Sequence, residues 1–279
     1  MSSQNHLHPS QPNRLQQPHG DDANGHALAR RRTGLNRRHV LLSALGLTGA
    51  SGLVTLAGCG GGDDTNEAYL RFVNASVDFP SADLWLKGIK SIAALANAGG
   101  ISSWSTLTPS SVQIDLHAVG NTTSVLTETR TLAADSYTSV IVYGSLATSM
   151  KYKYLDEANA APASGYTRVR LFQGASTLSG LDVYVTNTTS LSGLAPTLSV
   201  SALGETTDFV TLATGTYRIR ATAKGDQSTV LFDHTVGVSF SSQSVVTLVM
   251  VPRTSGSLPN ISVLAEQSNG VVLANALAS

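Results

Sequence analysis

The stretch YLRFVNASVDFPSADLWLKG (69–88) returns as RVRLFQGASTLSGLDVYVTN (168–187). Ala75-Ser76 meets Ala175-Ser176, and Asp83-Leu84-Trp85-Leu86 meets Asp182-Val183-Tyr184-Val185. Further on, WSTLTPSSVQIDLHAVG (104–120) parallels FVTLATGTYRIRATAKG (209–225) at a constant offset of 105, and SYTSVIVYG (136–144) parallels SVVTLVMVP (244–252). A period near 100 residues is too long for a solenoid repeat and indicates a duplicated domain.

Each copy reads as all-β. Its runs are short, rich in β-branched residues and bounded by Gly, Ser, Asn or Pro. In VQIDLHA, Val112, Ile114, Leu116 and Ala118 share one face, and Gln113, Asp115 and His117 share the other. In YRIRATA, Tyr217, Ile219 and Ala221 oppose Arg218, Arg220 and Thr222. Period-two alternation with one apolar face predicts sheets packed on one side and wet on the other. About seven such strands in roughly 90 residues predict an immunoglobulin-like β-sandwich per copy. The alternative is a single larger sandwich or barrel. A first sandwich over 68–155, a short Ala/Pro/Gly-bearing linker over 156–165 and a second sandwich over 166–279 follow. Asn269-Gly270 between two apolar runs predicts a terminal hairpin that completes the second sandwich's edge.

The single cysteine, Cys59, stands in TLAGCGGGDD (55–64) between an apolar run and a glycine tract. One cysteine closes no internal disulfide. Residues 1–58 read as a polar, disordered leader followed by an export signal: a cationic flank ending at Arg38, an apolar segment from Val40 to Gly58, then small residues. Leu56-Ala57-Gly58-Cys59 resembles a bacterial lipobox, in which the cysteine thiol is diacylated and the preceding peptide removed. Acyl chains hold at roughly 0.8 kcal/mol per buried CH₂. The rival reading is an uncleaved helix, since about 20 residues span a bilayer. Gly46, Gly49 and Gly52 make that a poor stop-transfer segment. Arg37-Arg38 with the following Val40-Leu41-Leu42 resembles a twin-arginine export signal. Its leading Ser or Thr and trailing Lys are absent, so general secretion stays open. Residues 59–67 read as the lipidated cysteine and a flexible tether. Gly60, in place of the aspartate that retains such proteins at the inner membrane, points to the outer membrane.

Charge divides at the same cysteine. Before it stand six arginines and two aspartates; after it stand 12 Lys plus Arg and 16 Asp plus Glu. The later part has no basic patch, which argues against a nucleic-acid partner.

AYLRFVNASVDFPSADLWLKG is similar to the opening of a bacterial family, domain of unknown function 4397. Asn74-Ala75-Ser76-Val77-Asp78 stands for the family's turn, with Val77 where proline is usual. Asp83-Leu84-Trp85-Leu86 followed by Gly88 stands for its next strand, and GTYRIRATAKG (215–225) for its later Gly-x-Tyr strand. The second copy has Thr177 in place of the turn aspartate. The resemblance extends over roughly 68–252. It implies a secreted or lipid-anchored envelope protein, often with tandem units, and no known activity.

Chemistry-bearing residues are few. After Cys59 the only histidines are His117, beside Asp115, and His234, after Asp233. No Gly-x-Ser-x-Gly elbow or phosphate-binding glycine loop accompanies them. Both histidines are expected on solvated faces, and no zinc spacing is present. Asp78 and Asp83 are the weak metal candidates, for calcium, against the plainer roles of turn and strand-start aspartates. Trp85 with Tyr184, and Trp104 with Phe209, recur at matching positions. Repeated aromatics fit core packing, with sugar stacking the alternative. The expectation is a non-catalytic binding or structural protein of the envelope. It needs no cofactor, and its partners are the membrane through lipid on Cys59 and an unknown protein or glycan. The alternatives are an accessory subunit of an envelope assembly and an unrecognised hydrolase using His117 or His234.

Overall fold

Runs of β-branched residues between turn formers become strands throughout. The computed structural model describes residues 66–79, 81–157 and 159–277; the leader, Arg37, Arg38, Cys59 and most of the tether lie outside the described residues. All regular elements described are strands. The first copy contributes β1 (Ala68–Ser76), β2 (Ser81–Leu86), β3 (Ile89–Ala96), β4 (Gly100–Ile101), β5 (Ser105–Leu107), β6 (Ser110–Ala118), β7 (Ser124–Leu132), β8 (Tyr137–Ser145) and β9 (Ser149–Asp156). The second contributes β10 (Tyr166–Gln173), β11 (Leu181–Thr186), β12 (Leu198–Val200), β13 (Val210–Ala213), β14 (Gly215–Ala223), β15 (Asp226–Phe240), β16 (Val245–Pro252), β17 (Pro259–Ala265) and β18 (Gly270–Leu273).

Each copy is a β-sandwich. In the first, an inner sheet β4-β1-β8-β9, with β5 also on β1, faces an outer sheet β3-β2-β6-β7. In the second, an inner sheet β13-β10-β16-β17-β18 faces an outer sheet β12-β11-β14-β15. The duplication holds to the register. β1 runs parallel to β8 with Tyr69 opposite Tyr137, and β10 runs parallel to β16 with the equivalent Arg168 opposite Val245. Leu84 faces Leu116 as Val183 faces Ala221. A buried amide lies at or near the end of the first strand of each copy. Asn74 Nδ2 donates to Phe79 O at 3.2 Å, and Gln173 Nε2 donates to Leu178 O at 3.4 Å, each clamping the turn that follows.

The alternation in VQIDLHA and YRIRATA is realised: Val112, Ile114 and Leu116 enter the first core, and Ile219 and Ala221 the second. The inner strands differ. Leu70, Phe72, Val140 and Val142 fill the first core, while the intervening Val73, Ala75 and Ile141 fill a third one. Phe172, Val249, Val251 and Leu264 enter that third core from the second copy. The two inner sheets therefore pack back to back, and β16 is buried at every position. Strands covered on both faces lose alternation and become continuous apolar runs, as VVTLVMVP is.

Glycine permits the closest approach at this junction. Gly99 has φ +93°, and a Cβ there would lie 2.8 Å from Val251 Cγ2 and collide with Ser262 Oγ. Ser262 Oγ instead donates to Gly99 O at 3.0 Å. The terminal hairpin forms, with β18 at the sheet edge, but its turn spans Glu266–Asn269 and closes on a Leu264–Gly270 pair.

Phe172 is fully buried in the third core, with its ring edge-on to Tyr143 at 5.3 Å. Phe172→Ala is expected to destabilise the protein by about 3–5 kcal/mol. Urea unfolding followed by the fluorescence of Trp85, with Trp104→Phe in both proteins because Trp104 Nε1 donates to Ser268 O of the second copy, checks this. An unchanged midpoint would show that the junction does not couple the copies.

Candidate functional site

On β2 and β6, residues that do not enter the core point out through the outer sheet. Register places Asp83 opposite His117 and Trp85 opposite Asp115. Four residues singled out by sequence thus form one patch. The face expected to be solvated is covered: Asp83, Asp115 and His117 are 1%, 6% and 5% exposed. The cover is the indole of Trp85, stacked on the His117 ring at 4.7 Å, with Lys90 Nζ 5.9 Å from the indole centre.

Each group here has a packing partner. Asp83 Oδ1 accepts the Ala94 N–H at 2.8 Å, and Asp83 Oδ2 pairs with Lys90 at 2.5 Å. Ala94 has φ +51° beside the irregular register between β2 and β3, so the carboxylate fixes a bulged edge strand. Burial would raise the Asp83 pKa, but the Lys90 and Ala94 hydrogen bonds and the nearby positive charge hold it below the usual carboxylate value. Asp115 accepts from Gln113 Nε2 at 3.0 Å and from Thr127 Oγ1 at 2.7 Å. His117 Nδ1 has no hydrogen-bond partner. Asp115 and His117, neighbours on one strand face, do not form an acid–base pair. His234 is half-buried, its Nδ1 2.9 Å from Ala274 O, while Asp233 is taken by Arg218.

Asp78 lies apart from this patch. It accepts from Ser145 Oγ and Leu146 N, both at 2.6 Å, and from Ala147 N at 3.2 Å, and so ties down the β8–β9 turn. Its slight burial raises its pKa, and these donors outweigh that and lower it. The two candidate calcium ligands serve separate turns, and no group of three or more His, Cys, Asp or Glu suited to a metal occurs among the described residues.

The second copy uses the same positions differently. Asp182 again anchors its surroundings, accepting from Ser199 Oγ at 2.7 Å and Gly225 N at 2.8 Å. Tyr184 replaces Trp85, Thr222 replaces His117, and both are buried. Arg218 and Arg220 stand where the first copy has Gln113 and Asp115, and Asp233 faces Arg220 as Thr127 faces Asp115. Arg218 Nε donates to Asp233 Oδ1 at 2.8 Å and Nη2 pairs with Oδ2 at 2.5 Å. Beside them opens a cleft of about 510 Å³ lined by Thr189, Ser192, Gln227 and Ser228 among others. Trp104 and Phe209, the other repeated aromatics, cover arginines: Arg71 lies 4.6 Å from the Trp104 ring, and Arg168 and Arg170 lie 4.4 and 4.5 Å from Phe209.

Because the folded-state pKa of Asp83 is depressed, its stabilisation is present above the unfolded value near 3.8 and is lost as pH falls through the folded value. Asp83→Asn is expected to lower stability at pH 7 and to remove part of the loss seen below about pH 4. Thermal melts from pH 2 to 7 check this; parallel curves for variant and wild type would refute it.

No curated protein matches the chain. A solved structure titled "Alpha-glucan binding by a streptococcal virulence factor" aligns at 11% identity over 65% of this chain and 93% of that one, with a TM-score of 0.22. Residues 68–184, from the start of β1 into β11, match the family described as Domain of unknown function (DUF4397), a span that takes in the first sandwich and ends short of the expected 252.

Proposed function

We propose that this chain is a lipid-anchored protein of the bacterial cell envelope with a non-catalytic binding role. The observation that carries the non-catalytic half is the commitment of the acidic groups and the histidines on the outer faces. Asp83 holds a bulge, Asp115 is satisfied by Gln113 and Thr127, and the His117 ring lies beneath Trp85. A general base must reach the proton it removes, and a buried, stacked imidazole is poorly placed for that. The envelope half rests on Leu56-Ala57-Gly58-Cys59 and the cationic, apolar stretch before it. Arg37-Arg38 would direct export, acylated Cys59 would hold the protein at the outer membrane, and residues 60–67 would set the sandwiches off from the lipid.

The test is metabolic labelling with a radioactive fatty acid, combined with protease treatment of intact and lysed cells. Wild type is expected to take up label and to fractionate with outer membranes. Cys59→Ala is expected to take up none and to keep its leader. Equal labelling of the two would remove the anchor. Digestion on intact cells would place the binding faces at the surface, and protection until lysis would place them in the periplasm. A His117→Ala/His234→Ala double variant is expected to keep the wild-type phenotype, and its loss in a folded protein would favour a hydrolase.

A further inference from the structure

Duplication supplies an internal control for the outer face. At equivalent positions the first copy has a carboxylate, Asp115, satisfied by neutral donors and roofed by Trp85 on His117. The second has Arg220 in that place, and the smaller Thr222 in place of the histidine, beside an open cleft. The sign of the charge is reversed, and the aromatic opposite it is Tyr184, whose OH accepts from Gln227 Nε2 at 3.1 Å, in place of an indole stacked on a histidine.

Arg220 is 4% exposed and lines the cleft. Its Nη1 donates to Thr189 O at 2.7 Å, and its Nη2 donates to Thr188 O at 2.7 Å and Thr186 Oγ1 at 2.9 Å. These acceptors are neutral. Its Nε–H has no acceptor. The carboxylate nearest in register, Asp233, is spent on both Nε and Nη2 of Arg218. The cleft wall therefore carries two guanidinium groups against one carboxylate, an excess of one positive charge. Asp226, adjacent to Gln227, does not line the cleft; its carboxylate accepts from Ser228 and Thr229 within its own turn. Burying a cation without a counter-ion is costly. Burial and the proximity of Arg218 push the Arg220 pKa down, with Asp233 acting against them. The rest of the lining is hydroxyl and amide groups, with Leu191 and Val230 supplying apolar surface. The volume lies within the 300–1,000 Å³ typical of small-ligand sites.

We propose that this cleft binds a hydroxylated monocarboxylate of the sugar-acid class, its carboxylate neutralising Arg220 and its hydroxyls meeting Thr189, Ser192, Gln227 and Ser228. A monoanion balances the single excess charge, whereas a phosphate dianion would leave net negative charge beside Asp233. The inference rests on the binding reading above and gives it a ligand.

The test is calorimetric titration of the full-length protein in detergent with galacturonate, galactose and inorganic phosphate. Galacturonate is expected to bind at least tenfold more tightly than galactose, and phosphate is expected not to displace it. Ser192→Trp, an exposed position on the cleft wall, is expected to abolish binding without altering the melting temperature. Arg220→Gln is expected to weaken binding tenfold or more. Ser192→Trp decides the matter if the arginine variant fails to fold. No galacturonate binding, equal binding of galactose, displacement by phosphate, or wild-type binding by Ser192→Trp would each overturn the proposal. Acylation of Cys59 is independent of these results, so the ligand can fail while the anchored, non-catalytic reading stands.

Discussion

Burial of the inner sheets on both faces is the constraint on which the rest of the structure depends. The junction core gathers Val73, Ala75, Ile141 and Leu155 from one sandwich and Phe172, Val249, Val251 and Leu264 from the other, none more than 4% exposed. At about 1.5–3 kcal/mol per fully buried large apolar side chain, the junction contributes on the order of 10–20 kcal/mol gross. That is comparable to the whole net stability of a typical domain, about 5–15 kcal/mol. The sandwiches are thereby parts of one compact unit. Covering the central inner strands leaves the outer sheets and the inner-sheet edges β9 and β18 to present side chains.

Polar groups fix the orientation that apolar packing leaves loose. Arg71, 1% exposed, donates through Nε to Ser139 Oγ, through Nη2 to Glu157 Oε1 and Ala265 O, and through Nη1 to Ser268 O. Glu157 in turn accepts the Gln267 N–H at 2.7 Å. The arginine comes from the first copy and the glutamate from the residue just after β9, while Ala265, Gln267 and Ser268 come from the end of β17 and the turn that follows it. Desolvation lowers the Arg71 pKa, and Glu157 acts against it. A buried pair like this adds little net stability compared with apolar side chains of the same shape, but losing one member leaves a bare charge. Its value here is directional, because five fixed donors accept only one placement of the β17–β18 turn. The second copy keeps the outline, with Arg170 Nε on Thr247 Oγ1 and Glu266 held by Asn159.

Much of the scaffold is legible in the sequence because it is local. Period-two alternation assigns faces to β6 and β14, and the offsets of 99 and 105 carry through to matching register pairs. The junction is not legible in the same way. SVIVYG and VVTLVMVP show only that something covers both faces, without saying that each covers the other. Arg71 and Glu157 are separated by 86 residues, and no local pattern pairs them. The buried face at Asp115 and His117 was missed for a related reason. Alternation shows that a side chain points away from the core, but not whether a neighbouring strand supplies an indole to cover it. Trp85 does so, and only the antiparallel register of β2 on β6 brings it there. The cleft was missed because its cationic excess is a difference between copies: Arg220 is informative once it is known to occupy the position of Asp115.

That difference follows from where the freedom to change lies. Residues on β1, β8, β10 and β16 are held by two cores, so substitution there strains two packings. Outward residues of β6 and β14 touch neither apolar core; what binds them is the local polar network. Such a network can be exchanged as a set, Gln113, Asp115, Thr127 and His117 on one side for Arg218, Arg220, Asp233 and Thr222 on the other, without disturbing Val112, Ile114 and Leu116 or Ile219 and Ala221 behind them. The aspartate that anchors the outer face stays in both copies, Asp83 and Asp182, because it holds backbone N–H groups that no side-chain exchange can supply. A duplicated sandwich of this kind can therefore hold one face closed and structural while the other acquires a cleft, with the junction core unaffected by either.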